Sequence, residues 1–166
     1  IREALQVLVQ EGLITSEPQK GKHVRQMTGK EIYDSYVVAG ILEGAGVAES
    51  LPLWTEANME TFRSVVRQME GKISYATKLD ELAEIDELFH ATLFMACDNT
   101  RLVEMARTSC ATISKYLYYQ HWITMFTPRE YADRHHAVAE AVYSRDVKHV
   151  ETALRDHYKE TGLRMA

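Results

Sequence analysis

The chain opens with apolar residues at helical spacing: Ile1, Ala4, Leu5 and Leu8 share one face, and Gly12 closes the segment as a C-terminal cap. No capping residue precedes this stripe, so the helix is expected to be the later part of a longer element. Leu13 to Ser16 and Lys22 to Arg25 carry β-forming residues on either side of Glu17-Pro18-Gln19-Lys20-Gly21, which predicts a short hairpin. A helix followed by a basic-tipped hairpin has the form of a winged-helix ending.

From Thr28 onward the apolar positions recur with helical period. Thr28-Gly29-Lys30-Glu31 is a capping box and predicts a helix to about Ser50, and Thr55 with Asn58 opens another to about Ala76. A third is expected over Leu79 to Ala96 and a fourth, unbroken, over Thr100 to Met125. Thr127 with Pro128 at the first helical position starts a fifth that runs to Ser144, and Asp146 caps the sixth. Short links between long helices favour antiparallel neighbours. The expected fold class is all-α: an antiparallel bundle of about six helices over residues 27–166, preceded by residues 1–26 as the end of a winged helix-turn-helix.

Composition adds bounds. With 166 residues, 46% hydrophobic, 26% charged and three prolines, the chain fits one well-packed globular core. No apolar run is read as approaching the roughly 20 residues of a membrane span, and no basic segment leads into an apolar one, so a cytoplasmic address without membrane contact is expected. The net charge of −5 disfavours nucleic acid as a partner of the whole chain, but residues 1–25 sum to +1 and the rest to −6, which confines any DNA contact to the first segment. Cys97 and Cys110 form no CxxC pair and read as buried free thiols.

Histidine placement carries the candidate chemistry. His135 shares a helix face with Val138, Ala139 and Val142, whereas His136 falls with Glu140 and Tyr143. His157 joins the stripe Val147, Val150 and Leu154, while His149 lies with Thr152 and Asp156. Asp86 and His90 stand one turn apart among Leu82, Ile85, Phe89 and Leu93. A lone buried carboxylate costs several kcal/mol, and three inward imidazoles add unmet hydrogen bonds. One divalent metal held by Asp86, His90, His135 and His157 resolves all four. Imidazole and carboxylate ligands suit zinc foremost, and also nickel, iron or manganese.

Several motifs then resemble known proteins. Arg2-Glu3-Ala4-Leu5, Glu11-Gly12-Leu13-Ile14 and Lys20-Gly21-Lys22-His23-Val24 resemble the end of the GntR-family winged helix-turn-helix. Leu42-Glu43-Gly44, Asp86 through His90, Asn99 with Leu102, His135 with Val138 and Ala141-Val142, and Asp146 through His157 resemble the FCD ligand-binding domain of its FadR-like branch. The resemblance implies a homodimeric, DNA-binding transcription regulator, acting as a repressor, whose metal is held by those four residues and whose effector is a small carboxylate docked on or near the metal. It also implies operator DNA contacts from Arg2 and from the wing tip Lys20, Gly21 and Lys22. One departure stands out: Ala39 occupies the place where members often carry a carboxylate-binding arginine, so a carboxylate here needs another cationic partner or the metal alone.

Tyr119 and Trp122, three apart in an aromatic stretch, and Tyr36 on the first bundle helix are the candidate effector contacts, with core packing or a dimer interface as the competing role for the stretch. Glu87 and His90 form only half of a di-iron motif, and no second copy exists. An alternative function is a metal-dependent hydrolase or lyase. It would need a general acid or base facing the site, and the only candidates, Glu87 and His136, are turned aside by helix periodicity.

Overall fold

The computed structural model describes residues 1–166 in full. Helix α1 (Arg2–Gln10) ends at Glu11 and is followed by Gly12 with φ +73°, a left-handed backbone that glycine adopts without strain. Strands β1 (Ile14–Glu17) and β2 (Gly21–Val24) pair antiparallel with Ile14 opposite Val24 and Glu17 opposite Gly21. The turn between them needs positive φ at Gln19 and Gly21. None of these three elements contains a buried residue.

The bundle begins with α2 (Gly29–Ser50), whose Thr28 side chain accepts from the Glu31 amide while the Glu31 carboxylate accepts from the Thr28 amide, as the capping box predicts. Helix α3 (Glu56–Ile73) opens with the same device from Thr55 and Asn58, and α7 (Pro128–Tyr143) from Thr127 and Glu130. A 3₁₀ turn, Leu79–Leu82, leads into α4 (Ala83–Leu93), and Asp146 caps α8 (Val147–Met165). Helix α2 is central, with α8 packed along its length and α5 (Thr100–Ser109) across it. The main core, with Phe62, Met69, Leu82, Phe89, Val138 and Leu154 among its members, lies between α3, α4, α7 and α8.

Close approach of α2 to α8 depends on glycine. A Cβ at Gly40 would lie 2.9 Å from Tyr158 Cβ and 3.3 Å from Arg155 Cα, and one at Gly162 would lie 2.9 Å from Tyr36 Cβ. Small residues at these crossings let the backbones meet and bring the last turns of α8 over Tyr36 and Glu43.

Two expectations need correction. The unbroken helix from Thr100 to Met125 is instead α5, a π-helical turn over Ile113–Leu117 and the short α6 (Tyr119–Trp122). Hydroxyl side chains explain the break: Thr108, Ser109 and Ser114 each donate to the carbonyl four residues back, loosening the regular ladder around Cys110. The second concerns membrane length. Gly29–Leu53 does have the length and the mean hydropathy, 1.2, of a spanning segment. Half of it is buried inside the bundle and Glu43 sits in its middle, so its apolarity is that of the central core helix. Cys97 and Cys110 are free as expected, though each is only partly buried.

Candidate metal and effector site

Helix α4 turns Ile85, Phe89 and Leu93 into the core, which leaves Asp86 and His90, one turn apart, at the edge of that face. His135 comes from the buried face of α7 and His157 from that of α8. Helix periodicity thus separates the two adjacent histidines: His135 is 1% exposed, while His136 is half-exposed and sits 3.2 Å from Glu70. His149 stays at the surface beside Ser144.

One ring nitrogen from each of His90, His135 and His157 lies within 4.8 Å of the others. Asp86 Oδ1 is 3.1 Å from His135 Nε2 and 4.0 Å from His90 Nε2. The backbone fixes the His135 tautomer: Nδ1 donates to Tyr131 O at 2.8 Å, so Nε2 presents a lone pair. That buried nitrogen has no hydrogen-bond partner, nor has His157 Nδ1. A lone pair facing a carboxylate oxygen at 3.1 Å is repulsive unless a cation lies between them or a proton is added.

Electrostatics divide the imidazoles. Burial pulls His135 below the ordinary histidine value and His157 well below it, so both are neutral and able to ligate at pH 7. Burial acts the same way on His90, but the charge and hydrogen bond of Glu43 outweigh it and push that ring up to about 9. For Asp86, burial opposes ionisation, yet the neighbouring imidazoles of His135 and His90 outweigh it and hold the carboxyl below its ordinary value. Three imidazoles and one carboxylate, two of the rings neutral with unsatisfied buried nitrogens, form a donor set that fits a divalent cation.

Sequence periodicity does not single out the groups that hold these donors. His90 Nδ1 is 2.6 Å from Glu43 Oε1, and Tyr158 donates to Glu43 Oε2 at 2.7 Å. Such outer carboxylates fix the orientation of a metal-binding imidazole and raise its basicity. Glu43 could have been suspected, as the single acid in the apolar run from Tyr36 to Ala48. Arg134 ties α7 to α8 by donating to Glu160, His157 O and Thr161 Oγ1. Its neighbour His135 was legible, but the reach of a long arginine to another helix was not.

The cluster forms one wall of a cavity of about 260 Å³. Tyr36, Tyr119 and Trp122 all line it, and the last two rings stack at 6.4 Å and 18°. Arg107, Lys115 and Arg134 are the arginine and lysine residues on its walls. Ala39 is fully buried and is not among the lining residues. Cys110 lines the cavity too, its thiol pushed up to about 12 by burial. Glu87, expected to turn aside, reaches the cavity wall but is exposed there and paired with Lys115 at 2.9 Å. Far from this site, Arg2 is exposed on α1, and Lys20, Gly21 and Lys22 are exposed at the hairpin tip, where Lys20 pairs with Glu17 at 2.9 Å.

Comparison with known proteins agrees with this architecture. The FCD domain profile matches residues 34–160. The HTH-type transcriptional repressor RspR of Escherichia coli K12 is 25% identical over 163 residues, covering 96% of this chain and 69% of that protein. The Nta operon transcriptional regulator of Aminobacter aminovorans is 26% identical over 137 residues, covering 81% of this chain and 61% of its own length. Among solved structures, E. coli McbR/YncC superimposes with a TM-score of 0.76 at 16% identity, over 97% of this chain and 80% of that one. A GntR family member from Pseudomonas syringae pv. tomato DC3000 gives 0.64 at 20% identity, over 98% and 67%. These relatives are transcription regulators rather than enzymes. With the profile spanning most of the bundle, the chain belongs to the FCD domain family, and its curated relatives are transcription regulators.

Proposed function

We propose that this regulator is metal-containing and responds to a small organic acid. The observation that carries the reading is the meeting of His90, His135 and His157 within 4.8 Å, beside Asp86, on the wall of a cavity. A divalent ion held there is a positive centre to which an oxygen of an acid can coordinate directly. Zinc suits the donor set best, and nickel, iron and manganese share its preferences. Arg2, Lys20, Gly21 and Lys22 are read as the operator contacts, with a homodimer placing two such segments on a palindromic site. The name of the RspR relative supports repression as the sense of control, and a cytoplasmic location follows from DNA as the partner.

Metal analysis of protein purified without chelator tests the core of this reading. Metal in the native chain and its loss in His157→Ala are the expected results, and a metal-free native protein that takes up none of the four ions on titration overturns it.

A further inference from the structure

The cavity also contains hydrogen-bond donors that the fold leaves unused. Tyr36 is 2% exposed and lines the cavity, and its hydroxyl is buried without a hydrogen-bond partner. The nearby Ser114 hydroxyl donates to Cys110 O at 3.2 Å. A buried hydroxyl without a partner in the chain is costly to keep, which leaves it free for a bound acceptor.

Arg134 supplies the charge. Its Nε donates to Glu160 at 2.9 Å and its Nη2 to His157 O and Thr161 Oγ1, which leaves Nη1 without a protein acceptor. Its guanidinium lies 4.0 Å from the centre of the Phe126 ring, whose centre is also 4.2 Å from the Arg164 guanidinium. Three bonds and a ring contact hold the fork in one orientation. A guanidinium that is fixed before binding loses little entropy when it takes an anion. The side chain is 11% exposed, so that charge acts in poorly screened surroundings.

The geometry points to Arg134 and Tyr36 as the oxyanion-recognising corner of the cavity, holding a carboxylate of a small organic acid. This rests on the cavity being the effector site, and it assigns a cationic contact separate from the metal. A guanidinium edge and a phenol hydroxyl together match the two acceptor oxygens of a carboxylate. At about 260 Å³ the cavity falls near the small end of ligand sites, which run from roughly 300 Å³ upward. That size selects compact acids.

The test titrates acetate, succinate, citrate and inorganic phosphate into zinc-loaded full chain by calorimetry, with parallel melting curves. Tyr36→Phe removes only the unpartnered hydroxyl, so its ligand-free Tm is expected to match or exceed that of the native chain. Its affinity for the best-bound acid is expected to fall about tenfold. Arg134→Lys keeps the charge but loses the fork and should weaken the same acid at least as much. If it fails to fold because it ties α7 to α8, Tyr36→Phe alone decides. Native affinity for every acid in Tyr36→Phe overturns the assignment, as does phosphate binding more tightly than all three carboxylic acids or no acid binding at all. Repeating the titration on metal-stripped chain separates the two readings. Acid binding that still depends on Tyr36 keeps this corner even if the metal reading fails, whereas zinc uptake with Tyr36-independent acid binding removes the corner and leaves the metal.

Discussion

His90 has a carboxylate near each ring nitrogen, Glu43 at 2.6 Å and Asp86 at 4.0 Å, and the two make opposite demands on it. Glu43 keeps the metal-free ring protonated up to about 9, whereas ligation requires a lone pair. Metal uptake at neutral pH therefore displaces about one proton from His90. Because its pKa is raised, the protonated ring stabilises the metal-free fold fully below the ordinary histidine value, and that contribution fades as pH rises through about 9. Metal affinity should accordingly climb about tenfold per pH unit between 7 and 9. Calorimetry in buffers of different ionisation enthalpy reads the proton directly. A pH-independent affinity with no proton released would remove His90 from the ligand set. Asp86 and the three histidines were legible because helix period alone decides which way a side chain on a regular helix points. Glu43, Tyr158 and Arg134 act across helix pairs, and no periodicity within one helix reports that.

At the scale of elements, the site depends on how closely α8 lies on α2. Gly40 faces backbone and Cβ atoms of Arg155 and Tyr158 rather than the far end of a flexible side chain, so an added methyl must move the helices apart. Gly40→Ala is expected to cost about 1–3 kcal/mol in chemical denaturation. It should also weaken metal binding, since His157 and Tyr158 ride on the displaced helix. Full metal affinity in a destabilised Gly40→Ala chain would show that the site tolerates such a shift. The capping boxes at Thr28 and Thr55 were readable because a cap is a local bond between residues three apart. The broken fourth helix was not. Its apolar period continues through Cys110, and only the competition of Thr108, Ser109 and Ser114 for backbone carbonyls interrupts it.

For the whole molecule, the four donors come from α4, α7 and α8, and Glu43 adds α2, so a bound ion would cross-link most of the bundle. Binding that favours the folded state by a thousandfold excess over Kd adds about 4 kcal/mol. In a chain of this size chelation should then lower Tm by roughly 10 °C. Differential scanning calorimetry with and without EDTA measures it, and an unchanged Tm in a chain shown to carry metal would mean that the ion contributes little to holding the bundle together. Residues 1–25 would respond least. They touch the bundle at few points, chiefly where the Tyr118 hydroxyl accepts from the Met27 amide at 2.9 Å just beyond them and Thr112 donates to Glu11 O.

Local chemistry written along the chain was sufficient for the helix and hairpin at the start, the capped helices after it, and the inward direction of Asp86, His90, His135 and His157, because each depends on neighbours within one or two turns. Tertiary structure alone decided that the three histidines meet beside Asp86, that Glu43 and Tyr158 stand behind His90, and that Tyr36, Trp122 and Arg134 line the same cavity. The physical reason is separation: those contacts join residues up to 115 positions apart. Only the angle and spacing of packed helices, set by glycines at the α2–α8 crossing and by the bulk of the core, can bring them within bonding distance.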